Sequence, residues 1–437
     1  MCDDIIDALK DDRQSLKACS LTSRDWTPRA RTHLFHSVVV EGVAAYDGWE
    51  SFLKSSPGIA AYIRRLTLRG DEPAPPGERE RLKEWTPIFT HLNFLEELVV
   101  ECWALGPTEK LWVDLLPVVR SLRLRCIAIP EVDLTYLFSA CTQISQISLW
   151  MVSTERNGEC TFGNPDLPPM PPLPIHVSER GFGTLTTFKC TYTERIVTWF
   201  LSSPFKMCIR DLELTCSSNY PDSDYHMGTF LALSKSTLEH LEFSIHGALP
   251  PSWSEHFNLE GMDKLATLYI DQRPTYSLEA EHKFTWMLSI FDHIASCTLP
   301  SLKEVHITIE SLCFATLISV LPVADTPTNL TDGPSATDIP ANLASVPPIV
   351  DALANLGQKH PKLTVIFDVS EITGSDTWEE ETRKVALEVF PNKNRDQFRV
   401  VPTRLDYRLC AFRCYPLDED LDFGGFEVIP VYDRNIV

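Results

Sequence analysis

The chain has 437 residues, of which 44% are hydrophobic and 23% charged, so it holds enough apolar material for a continuous core and is not a disordered chain. Its formal net charge of −21 opposes DNA or RNA binding, which needs clustered positive charge to displace counterions from phosphates. The longest apolar run, Leu312 to Val323, is interrupted by Pro322 and falls short of the roughly 20 residues a membrane helix needs.

The first forty residues predict three short helices. Ile5, Ile6 and Leu9 share one face by their spacing. Asp11 and Asp12 break that pattern and supply an N-cap for a second helix lined by Leu16 and Cys19, with Leu21 following. Thr27 and Pro28 predict a third start, with Thr27 as the cap, and Ala30, Leu34 and Phe35 form the apolar face of that helix. Ser37 to Val40 then turns strand-like.

From residue 62 a phrase recurs: an apolar residue, a second three positions on, and a third two further. Its copies are Ile63/Leu66/Leu68, Leu95/Leu98/Val100, Val119/Leu122/Leu124, Ile144/Ile147/Leu149, Ile209/Leu212/Leu214, Leu238/Leu241/Phe243, Leu265/Leu268/Ile270 and Leu302/Val305/Ile307. Leu185/Phe188 is a weaker copy that lacks the third apolar position, and Leu363/Ile366 is a late variant. The central residues fall at 66, 98, 122, 147, 188, 212, 241, 268 and 305, where a leucine-rich repeat takes about 20–29 residues. The second and third apolar positions lie two apart, so both enter the core from one strand. One such unit cannot bury its apolar side alone, so units stack.

Helix-like stretches lie between the phrases, at Glu80 to Leu92, Leu111 to Leu116, Ile196 to Leu201 and Phe284 to Ile294. The expected fold class is α/β: a leucine-rich-repeat-like solenoid of parallel strands with outer helices, behind a three-helix head. A compact doubly wound domain is the alternative. Asp71 to Gly77, Asn157 to Pro174 and Asp325 to Pro348 predict loops. The expected organisation is a head over 1–40, a linker or first cap over 41–61, a solenoid over 62–310, a helix and disordered loop over 311–360, and a final strand, helix and C-terminal cap over 361–437.

The head, Ile5 to Leu9, Asp11 to Thr22, Trp26 and Arg31 to Phe35, resembles an F-box of the kind found in large families of mushroom-forming fungi. Trp49 to Leu53 and Ser56-Pro57, followed by the first phrase, are also similar to those families. The opening Leu-Pro-x-Glu-like segment of a full F-box has no counterpart here. The resemblance implies a substrate receptor of an SCF-type ubiquitin ligase, with the head on a Skp-family adaptor and the body on a protein target. Ile5, Ile6, Leu9, Leu16, Cys19, Leu21, Trp26, Leu34 and Phe35 match the apolar positions of the motif, divided between head packing and adaptor binding. The alternatives are a non-catalytic scaffold with a degenerate F-box, and an unrecognised hydrolase.

The outward strand positions predict a target-binding face, basic near the head and acidic further on. It comprises Arg65, Arg69, Arg123, Arg125 and Trp150, then Glu213, Glu242, Tyr269 and Asp271. Glu97 and Glu101 interrupt the basic part by pairing with neighbouring arginines. No phosphate-cradling glycine loop, nucleophile elbow or paired zinc ligands occur, and Cys208/Cys216 and Cys410/Cys414 lack companions. We therefore expect no enzyme, cofactor or metal, and neither nucleic-acid nor membrane partners. The 13 scattered cysteines and the acidic start, Met1 to Asp4, imply reduced thiols in the cytoplasm or nucleus.

Overall fold

The computed structural model describes residues 2–70, 92–101, 118–130, 134, 137, 143–156, 159–160, 185–191, 196–197, 201, 208–217, 223–246, 257–273, 280–310, 352, 355–371 and 398–404. The chain divides into two compact units between Cys208 and Ile209.

The first unit opens with three helices, α1 (Cys2–Ala8), α2 (Arg13–Thr22) and α3 (Thr27–Phe35). Asp12 caps α2 as expected: its carboxylate accepts the Gln14 and Ser15 amides at 3.0 and 3.1 Å. Thr27 does not cap α3. Trp26 occupies that position, and the Thr27 hydroxyl donates to the Ser20 and Ser23 carbonyls, fastening the end of α2 to the start of α3. Ile6, Leu16, Ala30 and Leu34 form the shared core, with Leu9, Cys19, Trp26 and Phe35 packed against it.

Strand β1 (Ser37–Glu41) follows, then α4 (Gly42–Ser55) and a 3₁₀ turn over Pro57–Tyr62. The remaining strands of this unit are β2 (Arg65–Arg69), β3 (Glu97–Glu101), β4 (Ser121–Pro130), β5 (Gln146–Arg156), β6 (Glu159–Cys160) and β7 (Thr187–Thr191). Their order is β1-β2-β3-β4-β5-β7, all parallel, while β6 folds back antiparallel on the end of β5 inside the stretch expected as loop. Leu66, Leu98, Leu122, Ile147 and Phe188 stand in one register row, and Leu68, Val100, Leu124, Leu149 and Cys190 in the next inward row, all buried. Cys190 thus fills the third apolar position that the weak copy was expected to lack.

The sheet starts at residue 37 rather than 62, because Val38 and Val40 pair with Leu66 and Leu68 and are buried. Phe35, Val38 and Val40 have the spacing of the phrase, so a further copy spans the end of the head, and most of the expected linker over 41–61 is helical.

The second unit holds β8 (Asp211–Ser217), α5 (Ser223–Ser234), β9 (His240–His246), β10 (Thr267–Arg273), α6 (Ala280–Ser296), β11 (Glu304–Glu310), β12 (Thr364–Glu371) and β13 (Phe398–Arg404). The strands lie in chain order and are parallel. Leu212, Leu241, Leu268, Val305 and Val365 share one register row. In β12 the core pair is therefore Val365 and Phe367, one residue away from the expected Ile366. Strand β13 replaces part of the expected cap. Helices α5 and α6 bury Met227, Phe230 and Leu231, and Met287, Ile290, Phe291 and Ile294, the spacing of an amphipathic face. Phe243 stacks on Phe257 at 5.6 Å within this core.

One backbone device recurs at strand entries. The two residues that open a strand both donate to a single carbonyl of the preceding repeat: Glu96 and Glu97 to Arg64, Arg120 and Ser121 to Glu96, Ser145 and Gln146 to Arg120, Thr186 and Thr187 to Ser145. In the second unit Glu239 and His240 donate to Arg210, Ala266 and Thr267 to Glu239, and Lys303 and Glu304 to Ala266.

The stretches expected as helix at 80–91, 111–116 and 377–390, the apolar run 312–323, and the loops 71–77 and 325–348 lie outside the described residues. So do Cys102, Glu379 to Glu381, Cys410 and Cys414. Residues 196, 197 and 201 of the expected helix are helical, and α6 contains the one expected at 284–294. Among the described residues no helix is long and apolar enough to cross a membrane.

Candidate interaction surfaces

The head separates the apolar residues that sequence left undivided. Ile6, Leu16 and Leu34 are buried, and Leu9, Cys19, Trp26 and Phe35 pack partly against them. Ile5 and Leu21 point outward, at 53% and 87% exposure. Asp7 on α1 clasps α3: Arg29 donates from Nε and Nη2 to its two carboxylate oxygens, both at 2.6 Å, and His33 Nε2 lies 2.7 Å from Oδ1. The hydrogen bonds from Arg29 and then His33 hold the Asp7 carboxyl well below the usual carboxylate range.

Beside the head, Phe35 and Phe52 stack at 6.2 Å and Trp49 meets Phe52 edge-on at 5.4 Å. On α4, Lys54 pairs with Glu50 one turn earlier.

On the sheet face opposite the core, strand register dictates the side-chain neighbours. In the first unit Arg65, Glu97, Ser121, Gln146 and Thr187 form one row, and Glu41, Arg69, Glu101, Arg125 and Trp150 another. Charges alternate along the second, and Arg65 and Glu97 open the first. Glu97 lies between Arg65 and Arg123, at 3.4 and 3.0 Å. The Arg123 Nε approach to Glu97 Oε1 is a charge contact rather than an aligned hydrogen bond. Glu101 lies between Arg69 and Arg125, at 3.1 and 3.3 Å, and Arg69 reaches on to Glu41 at 3.0 Å. Its hydrogen bond to Glu41, then that to Glu101, raises the Arg69 guanidinium above its ordinary range.

The face near the head is thus charge-alternating: Glu97 and Glu101 pair with the neighbouring arginines as expected and interrupt its basic part. Val99, 2% exposed, and Thr67, expected on the open face, are also buried, in register between the charged rows. Further along, the described side chains on this face of β4, β5 and β7 include Arg123, Arg125, Trp150 and Lys189. Lys189 was missed because the weak Leu185/Phe188 phrase drew no attention to its outward neighbours.

In the second unit the middle outward row runs Glu213, Glu242, Tyr269, His306. Tyr269 and His306 stack with centroids 3.9 Å apart, and His306 Nε2 lies 3.4 Å from Glu304. The carboxylates Asp211, Glu213, Glu242 and Glu304 lie on this face with His240 and His306. Asp271, expected on the binding face, is 4% exposed, closed to a partner. Ser244 and Thr308, its register neighbours, are buried too.

Among the described residues no group of acidic, histidine or cysteine side chains is placed to hold a metal ion. His293 and Cys297 are neighbours on α6, Nε2 to Sγ at 3.5 Å, and the Leu259 amide donates to the same Nε2 at 3.3 Å. Burial pushes the Cys297 thiol up and the His293 imidazole down, which keeps both neutral, the reverse of an activated thiolate pair. The sequence matches no family model and no curated protein.

Proposed function

We propose that the chain is a non-catalytic adaptor: a leucine-rich-repeat-like solenoid behind an F-box-like head, acting as substrate receptor of an SCF-type ubiquitin ligase. The head binds a Skp-family adaptor, and the strand face opposite the core binds the protein target. The observation that carries the reading is the division of the head's apolar residues. Ile6, Leu16 and Leu34 fill its core, while Ile5 and Leu21 face outward and are available to a partner. The parallel ladder that follows supports the second half, since stacked strand repeats present a long in-register face suited to gripping a polypeptide.

A pull-down with a purified fungal Skp-family adaptor tests the docking. Retention at micromolar protein is expected, with loss in Leu21→Asp and Ile5→Asp variants whose circular dichroism is unchanged. Failure of the wild-type chain to be retained rejects adaptor binding.

A further inference from the structure

We infer that β1 is an edge for self-association: two copies of the chain pair their β1 strands antiparallel, about a two-fold axis at Val39, and so join their sheets. The inference goes beyond the adaptor reading and does not depend on it.

The backbone supplies the first argument. β1 is the terminal strand of its sheet, and among the described residues it pairs with β2 alone. The Arg65 amide donates to the His36 carbonyl at 2.9 Å, and the parallel ladder alternates from there along its register. Val38 and Val40 therefore direct their amides and carbonyls to β2, and Ser37, Val39 and Glu41 turn theirs to the open side. Such an edge is a template for another strand, and proteins commonly guard it with Pro, Lys or a bulge. The run Ser37-Val38-Val39-Val40-Glu41 has no Pro or Lys, and its register with β2 is unbroken. Its one charge, Glu41, is already held by Arg69 at 3.0 Å.

The side chains supply the second. Val39 stands in register with Thr67 and Val99 on the outward face. Thr67 and Val99 are 7% and 2% exposed, whereas Val39, at the end of the same row, is 51% exposed. The row runs open at the edge, and Val39 of a second copy is the group that closes it.

The strand's own symmetry names the occupant. Antiparallel pairing about Val39 sets Val39 against itself, Val38 against Val40 and Ser37 against Glu41. Buried then meets buried and exposed meets exposed, because the burial pattern reads the same in both directions. The residues that face one another on the outward side are also those whose backbone groups point off the edge, as the hydrogen-bonded positions of an antiparallel ladder require. The Ser37 hydroxyl donates to the Glu41 carboxylate of the second copy, and a slip of one residue would set inward side chains against outward ones. Such an isologous contact closes at two copies. The seam is five residues long, so the dimer is weak, in the micromolar range.

Sedimentation of the full chain from about 1 to 300 μM tests this, in about 0.3 M sodium chloride to screen the repulsion between two chains of net charge −21. A monomer–dimer equilibrium is expected, weakened about tenfold or more by Val39→Asp, which sets two carboxylates face to face at the axis. Val39→Pro should act likewise. Its missing amide is the one that faces the open side, so the ladder to β2 is kept. Leu21→Asp, the same charge change on the exposed surface of the head, leaves the equilibrium unchanged.

Thermal melts identify a variant that has lost its fold, and Val39→Asp, at an exposed position, carries the test if Val39→Pro is among them. A chain that stays monomeric to about 300 μM overturns the inference. A dimer that ignores Val39→Asp, or that Leu21→Asp weakens equally, also overturns it, and so does a mass that climbs past two copies.

Discussion

Ser234 ends α5 fully buried, and among the described residues its hydroxyl has no hydrogen-bond partner. An unsatisfied buried hydroxyl loses its hydration without return, and alanine is the better helix former. Ser234→Ala is therefore expected to stabilise the chain by about 1 kcal/mol, read from the urea midpoint. A lower midpoint would show that the hydroxyl is satisfied after all.

His293 gives a pH dependence. Its Nε2 accepts the Leu259 amide, which requires the neutral ring, and burial lowers its pKa, opposed in part by the Glu260 charge. The unfolded chain then binds a proton that the folded chain resists, so stability falls as the pH drops below the ordinary histidine value near 6.5. His293→Gln should flatten that part of the stability profile relative to wild type between about pH 7 and 5.5. Equal slopes in the two proteins exclude the residue as the cause.

At the scale of elements, β4 and β5 show where a phrase suffices and where it does not. Leu122 and Leu124, and Ile147 and Leu149, point inward as their alternation demands. Leu122→Ala, deep in that row, should cost about 2–5 kcal/mol by opening a cavity. Past Arg125 and Trp150 the alternation changes phase. Cys126 takes a positive φ of 50° and drops out of the pairing opposite Met151, after which Ile127, Ile129 and Val152 are the buried residues.

A left-handed residue that is neither glycine nor asparagine leaves no compositional trace, so this joint was illegible in the sequence. The same holds for β13, whose Pro402 argues against a strand until its neighbour β12 is known. The first strand was legible, but Phe35 was claimed by the helix before it and the phrase over 35–40 went unread. On the open face, the pairing of Glu97 and Glu101 with neighbouring arginines was legible while the individual partners were not, because which glutamate meets which arginine depends on register. Glu101→Gln isolates that pairing: it leaves Arg69 and Arg125 without their shared carboxylate and should cost about 0.2–1 kcal/mol per lost contact at low salt.

At the scale of the molecule, two electrostatic effects oppose each other. The net charge of −21 repels itself and weakens the folded state, whereas the alternating Glu and Arg rows attract locally. Raising sodium chloride from about 0.1 to 1 M shortens the Debye length from about 10 to 3 Å, which screens both. The row contacts are few, partly exposed and individually small, while the excess charge acts on every acidic residue at once. The repulsive effect should therefore dominate, and the melting temperature of the wild-type chain should rise with salt. Chloride is the right anion, because sulfate would also strengthen apolar burial and blur the comparison. In the same titration the deficit of Glu101→Gln should shrink, since its lost contacts are the part that screening weakens. A wild-type melting temperature that falls with salt would instead make the ion-paired rows the stronger term and move the weight of the first unit's stability from its inward leucines toward its outward charges.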